Sequence, residues 1–203
     1  MDDRRAVAVA GHTGDVAAAE QGLRHDDPRV RATALGALDR IGVLDDERLA
    51  AMFADADPGV RRRAVELAAR RPDIDLRGPL ADHEPSVVEA AAWASGEHEV
   101  VTDDVLTALV DLAGGGAAGA DPLVREAAVA ALGAIGDDRG LHAILAATAD
   151  RPAIRRRAVL ALAPFVDPDH DRAADVAAAL ERAAGDRDWQ VRQAAEDVGS
   201  YSE

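Results

Sequence analysis

Residues 121–136 read DPLVREAAVAALGAIG, and five other segments repeat their grammar. The stretch is a helix with its start signal attached. Asp121 supplies a capping oxygen for the open N–H groups of a first turn. Pro122 stands at the first helical position, where a missing N–H costs nothing and the fixed φ is already helical. Val124, Ala128, Ala131, Leu132 and Ile135 then fall on one face of a 3.6-residue period, and Gly133 and Gly136 are expected to bring the helix towards its end. That apolar face has to be buried against a neighbour.

With Pro122 as a ruler, the equivalent positions are Pro28, Pro58, Pro85, Pro122, Pro152 and Trp189. The steps between them are 30, 27, 37, 30 and 37 residues, a solenoid period. Two residues after each marker stand Val30, Val60, Val87, Val124, Ile154 and Val191. Three after stand Arg31, Arg61, Val88, Arg125, Arg155 and Arg192, and six after come Ala34, Ala64, Ala91, Ala128, Ala158 and Ala195. The constant alanine is read as the point where two helices come closest, so a larger side chain there would overpack the contact.

This D-x-P-x-V-R-x-x-A-x-x-A-L pattern resembles the HEAT repeat, and its short period looks like the compact variety of phycobilisome-lyase-like proteins. HEAT units commonly run to ~40–47 residues, so the likeness is to the second helix and its spacing. The resemblance implies a first helix on the convex side and a second lining the concave side.

Composition agrees with an all-α chain. Of 203 residues 48% are hydrophobic but only 2% aromatic, so a core has to form by close approach of small-sided helices. Without cysteine there is no disulfide framework, thiolate nucleophile or Cys-based zinc site. The N-terminal MDDRRAVAVA is too acidic and too short in apolar residues for a signal peptide, and no long uncharged apolar run follows, so a soluble cytoplasmic protein with no membrane partner is expected. Lys and Asn are absent, Asp far outnumbers Glu, and the net charge is −15. This usage resembles that of salt-accumulating halophiles, whose acidity keeps a protein hydrated where the Debye length is only ~3 Å.

First helices are expected between the markers, over Asp15–Arg24, Asp45–Ala54, Asp73–Ala81, Thr102–Ala113, Asp137–Thr148 and Asp171–Ala184. The third is short and interrupted by Gly78 and Pro79. Asp15, Asp45, Thr102, Asp137 and Asp171 each offer a capping oxygen. Arg4-Arg5-Ala6-Val7 copies Arg62-Arg63-Ala64-Val65, which marks the N-terminus as a half-repeat. Glu196 and Asp197 replace apolar or neutral residues, as a water-facing terminal repeat requires. The expected architecture is a single right-handed α-solenoid of about six HEAT-like hairpins over 1–203. Its cap is 1–13 and its units are 14–42, 43–71, 72–96, 97–136, 137–166 and 167–203.

Most candidate chemistry has a structural explanation. The arginine three residues after the marker projects beside the buried stripe, near Asp-bearing loops, which favours a structural Asp/Arg ladder over a polyanion site. Val88 breaks that ladder and predicts a looser joint in the third unit. The Gly-rich insert Leu112–Gly119 is followed by no Walker-type Lys, so no nucleotide site is expected. His83-Glu84 and His98-Glu99 invite comparison with deoxyhypusine hydroxylase, a HEAT enzyme whose His-Glu pairs hold two irons early in the second helix. The matching positions here, such as Glu89-Ala90 and Glu126-Ala127, cannot form that site. Asp167-Pro168-Asp169-His170-Asp171 begins like a calcium loop but has Arg172 and Ala178 where Gly and a bidentate Glu belong.

Offsets four, eight and eleven are read as pointing away from the buried stripe. The solvent side of the second-helix row then carries Arg62, Glu66, Glu89, Trp93, Glu126, Ala130, Arg156 and Leu160. Trp93 beside aliphatic residues and flanked by arginines has the composition of an interface anchor, or of a ring folded over the third joint. Trp189 takes the place of Pro at a helix start and is read as structural. The expected function is a non-catalytic protein-binding scaffold or adaptor, with no catalytic residue, cofactor or metal and an unidentified protein partner. A phycobilisome-lyase-like enzyme or chaperone is one alternative. Nucleic-acid binding, as in HEAT-like DNA glycosylases, is the other; the arginine runs at 61–63 and 155–157 speak for it, and the net acidity speaks against it.

Overall fold

The computed structural model describes residues 3–116 and 121–200. Every regular element among them is helical, and each of the six markers opens a helix. These second helices are α3 (Pro28–Ile41), α5 (Pro58–Ala68), α7 (Pro85–Gly96), α9 (Pro122–Ile135), α11 (Pro152–Ala161) and α13 (Trp189–Gly199). Asp27, Asp57, Asp121 and Asp188 cap their helices by accepting the N–H two residues on, at 2.8–2.9 Å. In α11 the flanking residue is Arg151, and no side chain caps. The constant alanines and the apolar residues two after each marker are all buried.

The first helices are α2 (Val16–Gly22), α4 (Asp46–Ala51, followed by a 3₁₀ turn Met52–Ala54), α6 (Arg77–Leu80), α8 (Asp103–Ala113), α10 (Asp138–Ala147) and α12 (Ala173–Ala184). Asp15, Asp45, Thr102 and Asp137 cap as expected. Two expectations need correction. The third first helix is one turn rather than a helix from Asp73, although Ile74, Leu76 and Leu80 still reach the core. Asp171 caps nothing: α12 follows Arg172, whose N–H donates to His170 Nδ1 at 2.9 Å. Ahead of these hairpins, α1 (Asp3–Thr13) packs against α3 as α3 packs against α5, so it stands in the place of a second helix.

The chain divides into two compact units, Met1–Ala94 and Ser95–Glu203. In the first, α1, α3 and α5 lie in sequence, with α2 against α1 and α3, and α4 against α5. In the second, α9 packs on α8, α10 and α11, and α11 on α13, whose other neighbour is α12. The boundary falls within α7, the second helix that has Val88 in place of the ladder arginine. Part of the Gly-rich insert, residues 117–119, lies outside the described residues.

Gly133 does not end its helix. It sits inside α9, where a Cβ would lie 2.5 Å from Ala161 Cβ and 2.6 Å from Ala161 Cα. The helix stops at Gly136, which takes the left-handed conformation (φ 67°) that closes a C-terminus. Gly11 against Ala37 and Gly96 against Ala131 repeat the close contact. In marker coordinates a residue at offset eleven meets the alanine at offset nine of the following second helix. Offset eleven is therefore a packing position, not a solvent-facing one as expected.

Candidate interaction surface

The ladder arginines are committed to structure. Arg31 donates to both oxygens of Asp55 at 2.9 and 2.7 Å and to the carbonyls of His25 and Asp26. Arg61 repeats this with Asp82 at 2.7 and 2.8 Å and with the Asp55 carbonyl at 3.0 Å. In the second unit Arg155 grips Asp186 at 2.8 Å through both nitrogens, and Arg125 pairs with Asp150. Arg31, Arg61 and Arg155 thus tie their own entry loops to the loop of the following repeat. The guanidinium hydrogen bonds hold Asp55, Asp82 and Asp186 below the usual carboxylate range, aided by the backbone N–H two residues on.

The expected site residues fall in both units. In the first, Arg62 and Trp93 are exposed and Glu66 and Glu89 are half-buried. Trp93 is 47% exposed and lies with these three, Arg63, Arg70 and Ala90 around an open depression of about 360 Å³. The tryptophan therefore presents part of its ring to solvent. Glu66 bridges Arg62 and Arg63, at 3.2 Å from each.

In the second unit Glu126, Ala130, Arg156 and Leu160 are all half-buried. Leu160 packs on the cluster formed by Val159, Ala183 and α13, and Glu126 receives Arg157 at 3.5 Å. Leu160 and Arg156 share a small hollow with Trp189, whose ring is 65% exposed. Trp189 does open α13 as expected, but its side chain contributes to the surface. Its position at a helix start masked this in the sequence.

Sequence reasoning also missed a set of arginines on the first unit. Offsets four and eight of α3 are Ala32 and Gly36, which look featureless, so the surface was started at Arg62. Between α1 and α3 the structure places a hollow of about 430 Å³ bordered by Arg4, Arg29, Arg40 and Arg63. Arg29 bonds Asp27 through two nitrogens, and Arg4 donates to Thr33.

The other motifs serve local order. His83 is exposed and His98 is buried. Asp167 accepts the N–H of Asp169 at 2.9 Å, and His170 bonds Asp138 at 3.0 Å while lying edge-on to Phe165. Among the described residues no three His, Asp or Glu side chains converge as metal ligands.

No protein-family model matches the sequence, and no curated protein matches it. Solved structures do match. A designed armadillo repeat protein in complex with the peptide (KR)4 aligns with a TM-score of 0.66 at 18% identity, over 91% of this chain and 98% of that one. A second designed armadillo repeat protein gives 0.61 at 17% identity, again over 91% and 98%. The fold is a helical-repeat solenoid. An engineered protein agrees, with a TM-score of 0.61 at 18% identity over 92% of this chain and 97% of its own. The likeness is one of architecture and extends over nearly the whole chain. No helix among the described residues is long and apolar enough to cross a membrane.

Proposed function

We propose that this chain is a non-catalytic, cytoplasmic protein-binding scaffold whose second-helix face receives a segment of a partner protein. The observation that carries the reading is Trp93. A large apolar ring held 47% exposed, in an open depression edged by arginines and glutamates, has the make-up of an interface anchor rather than of a core residue. Its neighbours support this. The strongest charge pairs are turned to the loops, where they join repeats, and the face itself is left for contact. A designed solenoid of similar fold carries a bound peptide, which agrees with a docking role for such a surface.

The test uses Trp93→Ala. Because the ring is half in water, its removal is expected to cost less than about 1 kcal/mol of folding stability. Loss of an anchor would weaken a partner by ~2 kcal/mol or more, roughly thirtyfold. Wild-type and variant protein are immobilised side by side at the salt of the native host, and the retained proteins are compared. Proteins held by wild type and lost from the variant, at unchanged melting temperature, are the expected result. Equal retention, or a melting temperature that collapses with unaltered retention, would refute the assignment.

A further inference from the structure

One hollow of the first unit is edged by arginines although the chain as a whole is acidic. The protein has 38 acids against 23 arginines, yet no carboxylate lines the hollow between α1 and α3. Arg4, Arg29, Arg40 and Arg63 border it together with His12. The remaining lining residues are small: Ala8, Ala32, Thr33 and Gly36. Such residues allow a main chain to approach while long guanidinium stems stand on either side.

These arginines differ from the ladder in exposure: Arg29 is paired with Asp27 and Arg63 with Glu66, but at the surface. Arg31, Arg61 and Arg155 each spend their guanidinium on a carboxylate and a loop carbonyl. Arg40 makes no hydrogen bond or ion pair among the described residues, and it is exposed. Arg63 also borders the depression that holds Trp93, so the two hollows adjoin at α5. The first unit thus presents an arginine-edged trough that ends in an exposed aromatic ring.

We infer that this trough binds an extended acidic segment of a partner protein, with its carboxylates on Arg4, Arg29, Arg40 and Arg63 and an apolar residue over Trp93. The inference rests on the protein-binding reading above and gives the partner a chemistry. Guanidinium forks match carboxylates in planar, two-point fashion, which a flexible acidic chain can satisfy at alternate residues. From α1 to α7 there are three helix-to-helix steps of ~9 Å each. That span of roughly 27 Å is covered by about eight extended residues. A nucleic acid fits less well. The long polyanion would be repelled by the acidic remainder of the chain, and no Phe, Tyr or Trp lines the arginine hollow for bases to stack upon.

The experiment uses four fluorescein-labelled probes with the full-length protein, at the lowest KCl concentration where circular dichroism shows full helicity. They are an octapeptide alternating Glu and Ser and ending in Leu, its Gln counterpart, its Lys counterpart, and a twelve-nucleotide single-stranded DNA. Saturable anisotropy with the Glu peptide is expected, at least tenfold tighter than with the others. Arg40→Glu and Arg4→Glu are each expected to weaken it at least tenfold with unchanged melting temperature, and Trp93→Ala likewise. Equal binding of the Gln or Lys peptide, tighter binding of the DNA, or no effect of either charge reversal overturns the inference. So does absence of binding by the Glu peptide. The scaffold reading then stands or falls separately, on whether host proteins are still retained in a Trp93-dependent manner.

Discussion

Replacing Arg61 with Met removes a guanidinium from a residue that is only 5% exposed and keeps most of its hydrocarbon reach. The change strips Asp82 of hydrogen bonds of 2.7 and 2.8 Å and leaves the Asp55 carbonyl without its 3.0 Å donor. The Asp82 side chain is 9% exposed, so its charge is left largely dry, with the Glu84 N–H still bonded to it. Breaking one side of such a pair costs ~3–5 kcal/mol. For a chain of this length each kcal/mol lowers the melting temperature by ~2–4 °C, which gives a fall of roughly 6–20 °C if unfolding is cooperative. Repeat arrays lose cooperativity when one joint fails. The loss is therefore expected to concentrate at the joint between α5 and the Asp82 loop, read by amide hydrogen exchange as well as by thermal melting. Asp82→Leu made in the Arg61→Met background removes the stranded charge, and the cycle is expected to show coupling of at least ~1 kcal/mol. Acid titration gives an independent reading. Arg61 holds the Asp82 carboxyl below its unfolded value of about 4. The stability from this is complete above about pH 4 and is lost as pH falls through the folded pKa, so the variant's acid limb is expected to be shallower. A cost under ~1 kcal/mol with additive single and double variants would refute the ladder as the joint.

Two further predictions probe other parts of the repeat. Gly133→Ala forces a Cβ to within 2.5 Å of Ala161 Cβ, so α9 and α11 have to separate, at ~1–3 kcal/mol in urea denaturation. Ala161→Gly is expected to recover part of that loss, and a neutral Gly133→Ala would show that the contact is slack. Asp121→Ala removes the cap on Leu123 N–H and is expected to cost ~1 kcal/mol, whereas Arg151→Ala, at a helix start with no side-chain cap, is expected to change stability by less than half as much. Equal losses at the two positions would remove capping as the cause.

The fold was legible because its signals are local and repeated. Pro at the first helical position fixes a start within one residue, and all six second-helix markers, five Pro and one Trp, fall where helices begin. The ladder was legible for a related reason: an arginine at one offset and an aspartate in each loop leave few other partners. What escaped the sequence involves neighbours that period alone does not name. Asp171 looked like a cap because it precedes a helix, yet His170 takes the N–H of Arg172, and no rule of spacing tells a carboxylate from an imidazole there. Gly133 looked like a terminator because glycine ends helices, but its partner is an alanine twenty-eight residues on, visible only once two helices are stacked. Arg4, Arg29 and Arg40 belong to offsets that seem unrelated until α1 and α3 lie side by side. The two bare positions between them, Ala32 and Gly36, carried no signal at all.

These omissions share a physical origin that also bears on function. The joint between α9 and α11 is pinned at two places, by Arg125 on Asp150 and by Gly133 against Ala161. Near the start of α9 the arginine reaches the loop before α11, and near its end a small residue allows the neighbouring backbone to close in. Two separated pins set both the distance and the crossing angle between successive second helices, whereas one pin would leave a pivot. The side chains of the outward face are then positioned by residues that are not on it. Trp93, Arg62 and Arg40 are exposed, while Arg61 and Gly133 are held by their buried contacts. Substitutions on the face are therefore expected to alter binding at constant stability, and substitutions at the pins to alter both, because they move the anchors relative to one another. A pin variant that lost several kcal/mol yet kept full affinity for the Glu peptide would break this link between stacking and recognition.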